Sequence, residues 1–391
     1  MSVTDSARPP AGPLSDLLII DLSRVLAGPY CTMVLSDLGA RVIKVERPGI
    51  GDDARHIGPF KDGKSAYFTS INRGKQSIAL DLKAPGDRAI FEALLETADV
   101  LVENYRPGTM EKLGYGWETL HARYPRLVYA AASGFGHTGP DTGKAAYDMV
   151  VQAMGGIMSV TGHPGGPPTR VGTSIGDITA GLFTVIGILS AVHDRAGAGA
   201  GRFVDVAMLD GQIAILENAI ARYATSGEAP GPLGARHPSI TPFAAYRCRD
   251  AHIVIAAGND ALFRSMCGAL GLEKLPDNPR FLTNALRTEN ADTLATVMEA
   301  QLRQKPAAHW LAALDAAGVP CGPLQNVAEA LAHPQVQARN MAIMTAFEDG
   351  TPLMAAGNPV KVSGYDDPAT RPKAPALDEH RDTILKEFDL K

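Results

Sequence analysis

Cysteine is scarce. The 391-residue chain holds only Cys31, Cys248, Cys267 and Cys321, too far apart for a CxxC pair, so neither a dithiol redox motif nor a zinc knuckle is expected and a reducing cytoplasm fits best. No run approaches the ~18 consecutive apolar residues of a membrane span, so no membrane is expected. Basic clusters are missing too, and with a net charge of −5 nucleic acid and anionic lipid are poor partners. No Ser-His-Asp pattern is visible. The glycines at 197–201 follow a helical pattern and open a strand, the reverse of a dinucleotide fingerprint, so they read as a turn. Residues 1–16 lack an apolar core and are rich in Pro, Ser and Ala, which predicts a flexible tail rather than a signal peptide.

What is present is an ordinary globular balance, 45% hydrophobic and 20% charged residues, with room for two or three domains. Apolar runs of strand length at 17–22, 41–45, 100–102 and 127–132 alternate with helical patterns at 27–38 and 89–98. That is the βαβ rhythm of an α/β fold with a parallel sheet. The first part of this large domain is expected to span 17–224, closing with a strand at 202–208 and a helical stretch at 209–223. A linker and a smaller α+β domain follow at 225–325, opening with a hairpin, 242–248 and 252–257, around Arg249-Asp250. Residues 326–391 are predicted to return to the large domain, with a strand at 359–362.

One carboxylate stands out. Asp177 lies between Gly176 and a run of small and apolar residues through Gly187, which predicts a buried helix starting near it. An aspartate before such a run reads as a helix N-cap. The same position also holds a carboxylate rigidly beside a glycine that lets a ligand approach. The two readings are compatible.

Several blocks, in order, carry a resemblance: LIIDLSRVLAGPYCTMVLSDLGARVIKVERPGIGDDAR (18–55), YFTSINRGKQSIALDLK (67–83), ADVLVENYRPGTMEKLGYG (98–116), SGFGHTGP (133–140), YDMVVQAMGG (147–156) and GVPCGPLQNVAEAL (318–331). Over nearly its whole length the chain resembles the class III, CaiB/BaiF-type coenzyme A transferases, the formyl-CoA transferase and carnitine CoA-transferase family. The resemblance implies a Rossmann-like large domain formed by both termini, an inserted small domain and an interlocked homodimer. It implies Asp177 as nucleophile, a coenzyme A thioester and a small carboxylic acid as substrates, and no permanently bound cofactor. Coenzyme A contacts are implied at Leu26, Ala27, Arg47, Leu80, Lys83, Asn104, Tyr105 and Arg106, with Lys112 where relatives carry a basic residue. Each surface cation could equally be a solvated charge. Arg73 and Lys75 could hold a loop or the dimer.

Reaction type turns on the segment AAYD (145–148). Related α-methylacyl-CoA racemases have a histidine where this chain has Tyr147. Tyrosine, with a pKa near 10, is a poor base at neutral pH but a good donor for orienting a carboxylate, so transfer is expected, with racemisation as the alternative. Asp148 is expected beside the substrate as a partner that places Tyr147 or a backbone turn, and His137 as a loop hydrogen bond. Relatives that act on formyl-CoA and oxalate have a glutamine where this chain has Leu26 and a glycine run where it has 234–240. That turns the expectation from oxalate towards succinate and glutarate, with succinyl-CoA or another dicarboxylyl-CoA as donor, since HPSITPFAAYRCRDAHIVIAAGNDALF and DNPRFLTNALRTEN resemble the succinate–hydroxymethylglutarate CoA-transferase branch. Arg236 and His237, in the linker, are candidates for gripping a distal carboxylate, or for an inter-domain salt bridge. Tyr67 is a further candidate for the acceptor pocket.

Overall fold

The computed structural model describes residues 11–390 and divides them into two compact units. One comprises the chain up to Met158, Arg170–Gly227 and His333 onwards; the other comprises Ser159–Thr169 and Glu228–Ala332. The second unit thus differs from the expected 225–325 by a few residues at either end and by the added segment 159–169.

The first unit is built on six parallel strands: β1 (Leu18–Asp21), β2 (Arg41–Glu46), β3 (Gln76–Ala79), β4 (Val100–Glu103), β5 (Val128–Ser133) and β6 (Phe203–Ala207). Their order across the sheet is β3-β2-β1-β4-β5-β6. The expected α/β class holds, and the order reverses between β1 and β4. Alternate strand residues feed two buried layers: Ile20, Ile43 and Leu101 pack with Phe91 and Leu94 of α2 (Pro85–Thr97), while Ile19, Val42 and Val100 pack with Leu35 of α1 (Ala27–Asp37). With both faces covered, the strands read as nearly continuous apolar runs.

Three helices complete the region of interest: α3 (Asp148–Met154), α4 (Ile175–Ala198) and α5 (Met208–Ala214). By length and composition α4 could cross a membrane. One side of it is buried, through Ala180, Thr184, Val185 and Ile188, whereas Leu182, Phe183 and Ile186 are exposed. Gly181 allows its close crossing with α1, since a Cβ there would stand 2.8 Å from the Ala27 carbonyl oxygen.

The C-terminal segment packs along the β3 edge. His380 N–H donates to the Ser77 carbonyl, and Asp378 accepts from Ala79 N–H. Two sequence expectations fail. Residues 359–362 form no strand; the regular structure lies upstream, in the hairpin of β10 (Ala342–Ala346) and β11 (Pro352–Ala356). Of the predicted flexible tail, 1–10 lies outside the described residues, but 11–16 is docked, with Leu14 N–H on the Leu38 carbonyl and Gly12 pressed against Leu38. In the second unit β7 (Phe243–Arg247) and β8 (His252–Ala256) form the expected hairpin, and β9 (Cys321–Pro323) adds a third antiparallel strand over a core of Phe263, Met266, Trp310 and Leu314.

Candidate active site

Ligands of open parallel sheets sit beyond the carboxyl ends of the strands where the order reverses. Here that point lies between the segments that follow β1 and β4. Asn104, just after β4, spans it: its Oδ1 accepts from Arg24 N–H at 2.8 Å and its Nδ2 donates to the Arg24 carbonyl at 2.7 Å. A cleft, partly open to solvent, is lined there by Arg24, Val25, Leu26, Ala27, Asn104 and Tyr105 on this side. Tyr147, Asp177 and Met208 line it too.

Asp177 sits in the first turn of α4, whose N-cap is Ser174. It is therefore the third helical residue and not the cap that its position in the sequence suggests. Among the described residues its carboxylate accepts no hydrogen bond. Burial, and then the carboxylate of Asp148, push its pKa up to about 7, well above the ordinary carboxylate range. The start of α4 is held by α3: Gly176 N–H donates to Asp148 Oδ1 at 2.8 Å, and Gln152 Nε2 donates to Asp148 Oδ2 at 2.8 Å. A Cβ on Gly176 would stand 2.7 Å from Val151 Cγ2 and 3.0 Å from Asp148 Oδ1. Only glycine allows the two helix starts to meet so closely. Asp148, expected beside the substrate as a partner that places Tyr147 or a backbone turn, has both oxygens engaged in holding this junction. Tyr147 is the N-cap residue of α3 and lines the cleft, 74% exposed. Tyr67 lies outside the lining, but the Asp177 carboxylate, after burial, helps to raise its pKa.

The cations reach the cleft differently from the sequence expectation. Arg106, implied by the resemblance as a coenzyme A contact, lines it, together with Arg24 and Lys144, which sequence reasoning passed over. Lys144 stands only three residues before Tyr147 in the same loop, and that proximity was the available signal. Arg47 is one ion pair removed: Asp53 joins it at 2.7 Å and Arg24 at 2.9 Å. Lys83 and Lys112 are exposed and absent from the lining, and Leu80 is a core residue whose N–H bonds the Glu46 carbonyl. Arg73 pairs with Asp37. His137 donates its backbone N–H to Asp205 and sets its ring edge-on to Phe203.

Arg236 and His237 belong to the second unit and have partners there. Arg236 pairs with Asp292 at 3.0 Å, so its salt bridge is internal to that unit rather than between domains. His237 stacks on Phe243, and its Nδ1 accepts from the N–H groups of Ser239 and Ile240.

A buried ionic network behind the cleft went unread in the sequence. Asp21 accepts from Thr32 Oγ1 and Lys75 Nζ, and Lys44 Nζ lies 2.8 Å from Asp52 Oδ2. All four charged groups are buried. Buried charges persist only when paired, and a lysine inside an apolar strand run gives no hint of its partner.

Comparison with known proteins agrees with this geometry. Residues 14–381 match CoA-transferase family III. The chain is 50% identical over 389 residues to an acetyl-CoA:oxalate CoA-transferase of Acetobacter aceti, covering 99% of this chain and 98% of that protein. It is 38% identical to a succinate–glutarate CoA-transferase of Agrobacterium fabrum, covering 96% of each. The crystal structure of a CAIB/BAIF family protein from Brucella suis superimposes with a TM-score of 0.85 at 39% identity, covering 97% of this chain and all of that one. The chain therefore belongs to CoA-transferase family III and is an acyl-CoA:carboxylate CoA-transferase.

Proposed function

We propose that the protein moves coenzyme A from a small acyl-CoA to a dicarboxylic acid, with Asp177 as the covalent carrier. The carrying observation is a carboxylate without a hydrogen-bond partner among the described residues, set in a cleft whose polar wall supplies Arg24, Arg106 and Lys144. Asp177 attacks the donor thioester carbonyl, forming an aspartyl–acyl anhydride and releasing CoA thiolate. The thiolate attacks the aspartyl carbonyl, freeing the donor acid and leaving an aspartyl–CoA thioester. The acceptor carboxylate attacks this thioester, giving a second anhydride and thiolate. Thiolate attack on the acceptor carbonyl then yields the new acyl-CoA and restores Asp177. The cleft cations, with Arg47 behind Asp53, balance the CoA phosphates, and Tyr147 donates to the acceptor carboxylate.

Succinate and glutarate remain acceptors on this reading. The 50% identity to a relative named for acetyl-CoA and oxalate favours oxalate as a second reading despite Leu26 and the 234–240 segment, and all three are diacids. The test is a panel of acetyl-CoA and succinyl-CoA against oxalate, succinate, glutarate and monoacids of matched length, with the CoA esters separated by chromatography. Transfer to at least one diacid in preference to its monoacid is expected. Deuterium exchange at the α-carbon of a methylacyl-CoA without CoA transfer would instead support the racemase alternative. The exposed apolar residues Met149, Val150, Leu182, Phe183 and Ile186 on α3 and α4 support a homodimer, read as interlocked from the family, and the four unpaired cysteines suit the cytoplasm.

A further inference from the structure

Among the described residues five non-glycine residues have positive φ, and four of them, Asp62, Asn340, Asp378 and Asp389, are of the types that tolerate it. The fifth is Val25, at φ +65°. A β-branched residue is a true outlier in that region, and such conformations last only where the surroundings impose them. Val25 lines the cleft and stands two residues before α1, whose first residue, Ala27, packs with Ala180 one turn beyond Asp177 on α4.

Three side chains hold the peptides around it. Asn104 clamps both the N–H and the carbonyl of Arg24. Lys44 Nζ donates to the Ser23 carbonyl at 2.7 Å. Asp52 Oδ1 accepts from Val25 N–H at 2.9 Å and from Ala54 N–H at 2.8 Å, while its Oδ2 faces Lys44 and its own N–H donates to Glu46. α1 has no side-chain cap, so the direction in which its first N–H groups point is set by this segment and not by a local cap. We infer that Asp52, backed by Lys44, is a positioning residue for the transfer reaction: it locks Val25 in the left-handed conformation and so fixes the Leu26–Ala27 edge of the cleft against the Asp177 carboxylate. The inference rests on the reading of Asp177 as nucleophile.

Asp52→Asn probes this without opening a cavity. The amide offers one oxygen where the carboxylate offers two, and the Lys44 ammonium outcompetes a peptide N–H for it, leaving an amide NH₂ facing the Val25 donor. Turnover of the most active donor–acceptor pair from the acid panel is measured on the full chain, with thermal melts as the check on folding. Asp52→Asn is expected to lower kcat at least about tenfold, because small misplacements of a reacting edge are costly. Glycine adopts positive φ without the Cβ penalty, so the loss caused by Asp52→Asn is expected to shrink at least about threefold when Val25→Gly is also present. A residue that merely stabilised the fold would give no such rescue. Val25→Pro, which cannot reach positive φ and has no N–H, is expected to lose at least about tenfold in kcat with a cooperative melt, and it decides the matter should Asp52→Asn not fold. Unchanged kcat in Asp52→Asn, no rescue by Val25→Gly, or a fully active Val25→Pro overturns the inference. Mass-spectrometric trapping at Asp177 in the wild type separates the two levels: a label there with unaffected variants overturns only the role of Asp52, while no label overturns the nucleophile on which it rests.

Discussion

The proposed mechanism needs Asp177 as an anion, while its position leaves the carboxylate poorly solvated. A carboxyl raised to about 7 is fully ionised only above neutrality, so kcat/KM for the acyl-CoA should fall on the acid side with a midpoint at or somewhat below 7, because the α4 N-terminus favours the anion. A flat profile from pH 5.5 to 8.5 would contradict this. The sign for stability follows from the same shift. The folded state holds a proton that the unfolded state releases above about 4, so ionisation costs stability as pH rises towards 7, and the cost then stays constant. Asp177→Asn removes it, at most about 4 kcal/mol before solvent screening. Melting should therefore show the variant more stable than wild type at pH 8 and little changed at pH 4, while turnover falls at least about 10³-fold. For the cations, Arg106→Ala and Lys144→Ala should each raise the acyl-CoA KM about tenfold, the value of a partly shielded phosphate contact, with little effect on the acceptor KM. Steady-state kinetics with each substrate varied in turn decides this.

At the scale of elements, the junction of α3 and α4 is the most sensitive. Gly176→Ala places a methyl against Val151 and Asp148, and overpacking of this kind costs about 1–3 kcal/mol. A lowered Tm together with a lowered kcat is expected; an unchanged variant would mean that the two helix starts are free to separate. The strands β1, β2, β4 and β5 were legible because each is a short apolar run between turn residues and is covered on both faces. The start of α4 was not legible to the residue, since Ser174, Ile175 and Gly176 carry no helical periodicity of their own and the cap is settled by contact with Asp148. At 359–362 an apolar pair beside a proline imitated a strand, while the pairing partners lay in β10 and β11. Lys44 and Asp52 were invisible for a different reason: their meaning lies in each other, eight residues apart, and only folding shows that both are buried. The cleft itself was half legible. Segments that follow strands could be named, but which of their cations turn inward depends on side-chain direction, and so Lys144 was missed while Arg47 stands one ion pair behind the lining.

For the whole molecule, the apolar residues left exposed on α3 and α4 predict that the protein sediments as a dimer at micromolar concentration. Replacing Phe183 and Ile186, both exposed on α4, by glutamate should shift it towards monomer, and an unchanged dimer would move the interface elsewhere. The proposed transfer runs through one carboxylate of the intact protein, which carries coenzyme A between two acids. Its most direct test is the mass of the chain quenched during turnover with donor acyl-CoA and no acceptor, followed by hydroxylamine treatment and peptide mapping. A gain of one CoA less one water is expected, replaced by a hydroxamate on the peptide containing Asp177 and absent from Asp177→Ala. A turning-over enzyme that never acquires this mass, or that acquires it on another residue, would contradict it.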